Sequence, residues 1–207
     1  PHDLSEWDVD FAFWCGYKYL NGGPGAAGGI YLNRQHFSKA PGIAGWFGAD
    51  KSAQFQFSPD FRPAYGAARL QIGTPNILSM APLLGSLPLI LSAGIDWIRE
   101  RSLALTDYLI DLCERELAPF GFEVVSPRDP SRRGGHVSIT HPDALEISRA
   151  LRAKGVVPDF RPPNVIRFAP VALYNSFADC SNAVQITREI VYNESYRGYS
   201  TDQNAVS

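Results

Sequence analysis

Several features that would each define a class of protein are scarce or missing from this 207-residue sequence. Cysteine is scarce: Cys15, Cys113 and Cys180 lie far apart and are odd in number. No CxxC or Cys/His spacing suggests zinc, and a chain this long needs no disulfide staples, so no metal site and a reducing, cytoplasmic setting are expected. A basic excess is missing too, with 19 Lys and Arg against 21 Asp and Glu and a formal net charge of −2. That balance leaves no basis for nucleic-acid binding or for an anionic membrane surface, which call for clustered positive charge. No apolar run reaches the roughly 20 residues that span a bilayer. The longest, "APLLGSLPLILSAGI", is interrupted by Gly85, Pro88 and Gly94. No charged n-region or cleavage motif opens the sequence. Lysine is the scarcest charge, present only at positions 18, 39, 51 and 154.

What remains is enough chain for one large domain or two small ones with a real core. The sequence starts without Met, already heading into a strand in "PHDLSEWDVDFAFW", and reads as the middle of a protein. The continuous run "VDFAFWC" (9–15) predicts a strand buried on both faces, and "GGIYL" (28–32) a second strand after a glycine loop. Residues 34–68 are broken by Gly and Pro in every window, yet Trp46, Phe47, Phe55, Phe57, Phe61 and Tyr65 argue against disorder there. From Leu78 the pattern turns helical. Ile95, Ile98, Leu105, Leu109 and Leu112 fall on one face of a long helix that Pro119 and Gly121 end. An α+β unit follows, with strands in "GFEVVSP", "HVSIT" and "NVIRFAP" and helices over 142–154 and 177–193. The expected fold class is α/β, with 1–92 ending a large domain, 93–117 a connecting helix, 118–195 a small α+β domain and 196–207 a polar, frayed tail.

The stretch "FWCGYKYLNGGPG" (13–25) sets Lys18 between Tyr17 and Tyr19 and then breaks into glycines. A lysine becomes a nucleophile when burial or a nearby cation deprotonates its amine. The predicted strand would end at Lys18, on the rim of a sheet, where ligands of α/β folds bind. The glycines behind it would let backbone pass close to a bulky group. By spacing alone, a strand-end lysine followed by a glycine turn is the better account of the stretch.

"WDVDFAFWCGYKYLNGGPG" resembles the cofactor-lysine segment of the kynureninases, pyridoxal-phosphate enzymes of the fold type I aminotransferase superfamily. Further segments match in the same order: "GIAGWFG" (42–48), "GAARLQIGTPNIL" (66–78), "IRERSLALTDYL" (98–109), "RGGHVSI" (133–139) and "KGVVPDFRPPNVIRFAPVALYN" (154–175). One departure is Gly16, where family members usually carry serine. The resemblance implies the end of a fold type I large domain, a connecting helix and a small domain, with pyridoxal 5'-phosphate as cofactor. It implies that Lys18 attaches the cofactor and moves protons, and that Tyr17 lies beside the phosphate as a proton donor. Trp46 and Thr74 would complete the phosphate site from the neighbouring subunit of a homodimer. Their indole N–H and hydroxyl are neutral donors suited to phosphate oxygens. Arg167, on a strand face with Val165 and Ala169 by period-two alternation, would hold the carboxylate of an amino-acid substrate.

The family's ring-binding aspartate and histidine, its stacking aromatic and its glycine/threonine phosphate cup would all lie upstream of the segment matching Pro1. Asp3, Asp8 and Asp10 do not occupy the aspartate's position. The chain is therefore expected to be the C-terminal half of a kynureninase and inactive alone. The reaction implied for the whole enzyme is hydrolysis of L-kynurenine, or its 3-hydroxy form, to anthranilate, or 3-hydroxyanthranilate, and L-alanine, in tryptophan catabolism. A cysteine desulfurase or aminotransferase-like enzyme of the same fold type, or a non-catalytic remnant, are the alternatives. Phe168, Asn175, Arg69, His36 and His136 carry no role beyond structure in this reading.

Overall fold

A computed structural model describes residues 1–200 of the chain, which divides into two compact units, Pro1–Ile95 and Asp96–Ser207. The first unit opens with β1 (Phe11–Trp14), paired antiparallel to β2 (Gly29–Leu32) so that Phe11 faces Leu32 and Trp14 faces Gly29. These are its only two strands among the described residues. Here the expectation of a strand buried on both faces fails. Phe11 is 61% and Phe13 78% exposed. A two-stranded ribbon has no layer to cover either face, so the aromatic run stays open whatever its hydropathy.

The segment after β2 winds through three short 3₁₀ turns, Arg34–His36, Trp46–Gly48 and Gly66–Leu70, with a bridge between Ala49 and Pro63. Arg69, buried at 6% exposure, fastens this region from inside. Its Nε donates to the Ala64 carbonyl at 3.1 Å and its Nη1 to that of Lys39 at 2.6 Å. Helix α1 (Ile77–Ala93) follows, capped by the Asn76 side chain on the Ser79 amide and closed by Gly94 at φ +81°. It runs through Pro82, Gly85 and Pro88 and buries none of its residues. Ala64 is the one buried apolar side chain recorded in this unit. No single described helix is long and apolar enough to cross a membrane.

The second unit has the core that the first lacks. Helix α2 (Ile95–Glu116) contributes Leu105, Leu109, Ile110, Leu112 and Cys113 to it, as the three- and four-residue spacing predicts. The apolar face of the helix expected to connect two domains over 93–117 is packed into this unit's core. Its four strands, β3 (Glu123–Val124), β4 (Val137–Thr140), β5 (Asp159–Arg161) and β6 (Val165–Phe168), form an antiparallel sheet in the order β3-β4-β6-β5. Alternation along β4 and β6 sends Val137, Ile139, Ile166 and Phe168 inward and leaves Ser138 and Arg167 on the other face. Helices α3 (Ala144–Ala153) and α4 (Phe177–Tyr192) complete the core with Ile147, Leu151, Val184 and Ile190. A reciprocal cap starts α4: the Ser176 hydroxyl accepts the Asp179 amide while the Asp179 carboxylate accepts the Ser176 amide.

Two readings of this unit change. Strand β5 adds to the three strands expected here, since three residues with two charges carry no strand pattern. The start of the expected polar tail is ordered: Ser195–Gly198 form a 3₁₀ turn, with Tyr196 buried and its hydroxyl 2.9 Å from Asp143 Oδ2. A buried aromatic ring with a satisfied hydroxyl is an anchor. Residues 201–207, the remainder of that tail, lie outside the described residues.

Candidate active site

Lys18 sits on a closed loop after β1. The Gly22 amide donates to the Gly16 carbonyl at 2.9 Å, and the Asn21 amide to the Lys18 carbonyl at 3.0 Å. Gly16 and Gly22 are buried at close approaches of backbone: a Cβ at Gly16 would run into the Ala27 carbonyl oxygen, and one at Gly22 would stand 2.8 Å from the Gly16 carbonyl oxygen, so a larger residue at either needs the loop to shift. The Ala27 amide donates to Ser79 of α1 at 2.9 Å, tying the far side of the loop down. These glycines therefore serve the chain's approach to itself. Gly23 and Gly25, at φ +75° and +79° with open space around them, turn the chain back toward β2.

The tip of the loop is open. Lys18 and Tyr17 are exposed, which corrects the expectation that Lys18 ends a buried strand. The Lys18 amine lies 5.4 Å from the centroid of the Tyr17 ring and, among the described residues, makes no hydrogen bond or ion pair. Tyr17 Oη likewise has no polar partner there.

The "GWFG" and "GTP" segments are brought together. Gly45 lies so close to Ile72 that a Cβ would overlap its backbone, and Gly48 packs in the same way on Arg69 and Gln71. Trp46 and Thr74 thus project from two backbones in contact. Trp46 is half exposed and packs edge-on against Phe47, at 5.3 Å between ring centroids, and Phe55, at 6.0 Å. Thr74 is exposed. Neither the indole N–H nor the hydroxyl has a partner among the described residues, and no hydrogen bond or ring contact joins either one to Lys18 or Tyr17.

Arg167, in the second unit, is two-thirds buried at its side chain and paired. Its Nε donates to Asp159 Oδ2 at 2.7 Å and its Nη2 donates to the same oxygen. Arg161 Nε also donates to that oxygen, at 3.0 Å. Burial pushes the Asp159 carboxyl up, but the hydrogen bond and charge of Arg167, helped by Arg161, outweigh it and hold the group below its ordinary value. His136 lies within the same field. Partial burial, then the charge of Arg167, hold its pKa down against the pull of Asp159. The link of Asp159 to Arg167 is a matter of hairpin register, and an acid eight residues before an arginine is no signal in a sequence. Of the residues left as structural, Asn175 accepts the Val171 amide through Oδ1 at 2.8 Å and pins the turn before α4, and His36 pairs with Asp10 at 2.5 Å.

The fold is that of the pyridoxal-phosphate enzymes of fold type I. A cysteine desulfurase from Thermococcus onnurineus NA1 superposes with a TM-score of 0.70 at 18% identity, over 92% of this chain and 49% of that one. A C-DES mutant with glycine covalently linked to its PLP cofactor superposes at 0.67 and 20% identity, over 90% and 48%. Within that class the sequence is more particular. Residues 98–187 match the kynureninase C-terminal domain. The whole chain aligns with kynureninases of Geobacillus thermodenitrificans at 51% identity, Bacillus mycoides at 48% and Shouchella clausii at 47%. Residues 98–187 are thus similar to that family's domain, and the chain as a whole is related to the kynureninases. It spans about half the length, 48%, of these curated relatives.

Proposed function

We propose that this chain supplies the lysine-bearing half of a kynureninase, which hydrolyses L-kynurenine or its 3-hydroxy form to the corresponding anthranilate and L-alanine in the cytoplasm. The observation that carries the reading is the loop at residues 16–22: a sterically fixed turn that holds one lysine amine in the open with no polar partner among the described residues. The residues present fit pyridoxal phosphate. An unpaired amine, a phenol, an indole N–H and a hydroxyl are the donors that an aldehyde and a phosphate require. When bound, the cofactor supplies the electron sink that lets the substrate's α-proton leave.

In this reading the Lys18 amine holds the cofactor covalently and carries the proton at the substrate's α-carbon. Tyr17 donates its hydroxyl proton beside the phosphate. Trp46 and Thr74 donate to phosphate oxygens across a homodimer interface, which the exposed aromatic segment around Phe55 (71%), Phe57 (95%) and Tyr65 (80%) supports as a surface that water does not favour. Arg167 receives the substrate carboxylate. The open faces of β1 and α1 support the view that the first unit is completed by further protein. A cysteine desulfurase reading rests on fold likeness at 18% identity, against 51% to a kynureninase.

The test joins this chain to the upstream half of the Geobacillus thermodenitrificans relative, adds pyridoxal phosphate, reduces with borohydride and maps the peptides. The label should sit on Lys18, and absorbance should change with kynurenine and not with cysteine. Label on Lys39, Lys51 or Lys154, or a response to cysteine alone, would sink the reading.

A further inference from the structure

Strands β5 and β6 pair so that Asp159 stands directly opposite Arg167, which puts both side chains on one face of the sheet. Arg161, two residues along β5, shares that face. All the hydrogen bonds recorded for the Arg167 guanidinium among the described residues go to one atom, Asp159 Oδ2, from Nε and Nη2. A guanidinium is a planar fork with five N–H donors. Asp159 engages its Nε/Nη2 side, and the edge formed by Nη1 and the second Nη2 hydrogen has no partner among the described residues. That edge is the one that can take a carboxylate through two parallel bonds.

The charges agree with the geometry. Arg161 and Arg167 with Asp159 leave one net positive charge, and burial and Arg167 hold His136 toward its neutral form. One unbalanced positive charge matches one carboxylate. Without Asp159 the long arginine side chain would be free to rotate about four torsions, and two unshielded cations would share the face.

We propose that Asp159 is the positioning residue for Arg167: it fixes the guanidinium from one side so that the opposite edge meets the carboxylate of an α-amino-acid substrate. The inference rests on the proposed role of Arg167, and the experiment separates the two. In the chain joined to the upstream half of the Geobacillus relative and loaded with cofactor, Asp159→Ala should raise the KM for L-kynurenine by roughly tenfold, within the range for coupled neighbours. kcat should stay within about twofold, because the positioned group binds and does not react. Asp159→Asn, which keeps an acceptor oxygen in place, should recover part of the loss. Arg167→Ala with Asp159→Ala should be no weaker than Arg167→Ala alone, since a positioning residue has nothing left to position.

On the chain as it stands, the Arg167 Nε–H should exchange slowly with solvent in ¹⁵N-arginine spectra and lose that protection in Asp159→Ala. An unchanged KM in Asp159→Ala, or a double variant that loses the product of the two single effects, overturns the inference. So does an unprotected Nε–H in the parent. An unchanged KM in Arg167→Ala overturns the carboxylate role of Arg167 itself.

Discussion

The contrast between the two units makes a quantitative prediction about which of them can stand alone. Ile166 is fully buried on central strand β6, with Ile139 opposite it on one side and Phe160 on the other. Flanked by hydrogen-bonded strands, those neighbours cannot collapse into the space that Ile166→Ala would leave. The cost should therefore fall near the middle of the range for such truncations, about 3 kcal/mol. For a unit of this size each kcal/mol moves the midpoint by about 4–8 °C, so the melting temperature should drop by about 12–24 °C. The assay is thermal unfolding of residues 96–200, followed by circular dichroism and by calorimetry. A single cooperative transition is expected for the parent fragment. The matching change in the first unit, Phe13→Ala, removes a ring that is 78% exposed and should leave any melting of residues 1–95 unmoved. That fragment should bind hydrophobic dye and aggregate, because Ala64 is the only apolar side chain recorded as buried in it. A cooperative transition in 1–95, or none in 96–200, would refute the assignment of the core to the second unit. A drop of only a degree or two in Ile166→Ala would refute the packing argument.

Four further outcomes are expected. In the completed enzyme, mixing a Lys18→Ala subunit with a Trp46→Ala subunit should restore activity above either alone, since hybrid dimers regain one intact composite site; no recovery counts against sites shared between subunits. Arg167→Ala should weaken kynurenine binding by about 2–5 kcal/mol while kynurenine amide, which lacks the charge, binds mutant and parent equally. Native chain treated with a thiol reagent should label at exposed Cys15 first. Cys113, which burial and then Cys180 and Glu114 push up to about 12, and the buried Cys180 should react only on unfolding. The capping bonds from the Ser176 amide and hydroxyl lower the pKa of Asp179 below its unfolded value. Its contribution to α4 is then fully present above the ordinary aspartate range and is lost as pH falls through the folded pKa. Asp179→Asn should flatten that part of an acid-unfolding curve of residues 96–200.

Much of the architecture could be read without coordinates, and the reason differs by element. The spacing of Leu105, Leu109 and Leu112 required a buried helical face, and alternation in "HVSIT" and "NVIRFAP" required half-buried strands, because 3.6- and 2-residue periods are properties of the backbone itself. The run of glycines after Lys18 marked a turn within residues 13–25 in the same local way. Tertiary structure decided the rest. Whether "VDFAFWC" is covered depends on how many strands flank it, which no property of the seven residues encodes. The small size of Gly16 and Gly45 is explained only by the distant carbonyls and backbone they meet, at Ala27 and Ile72. The partner of Arg167 depends on a hairpin register that puts Asp159 opposite it, and β5 exists as a strand only because β6 is there to pair with it. Local periodicity is written in consecutive residues. Burial, close approach and ion pairing are relations between residues that only the folded chain makes neighbours.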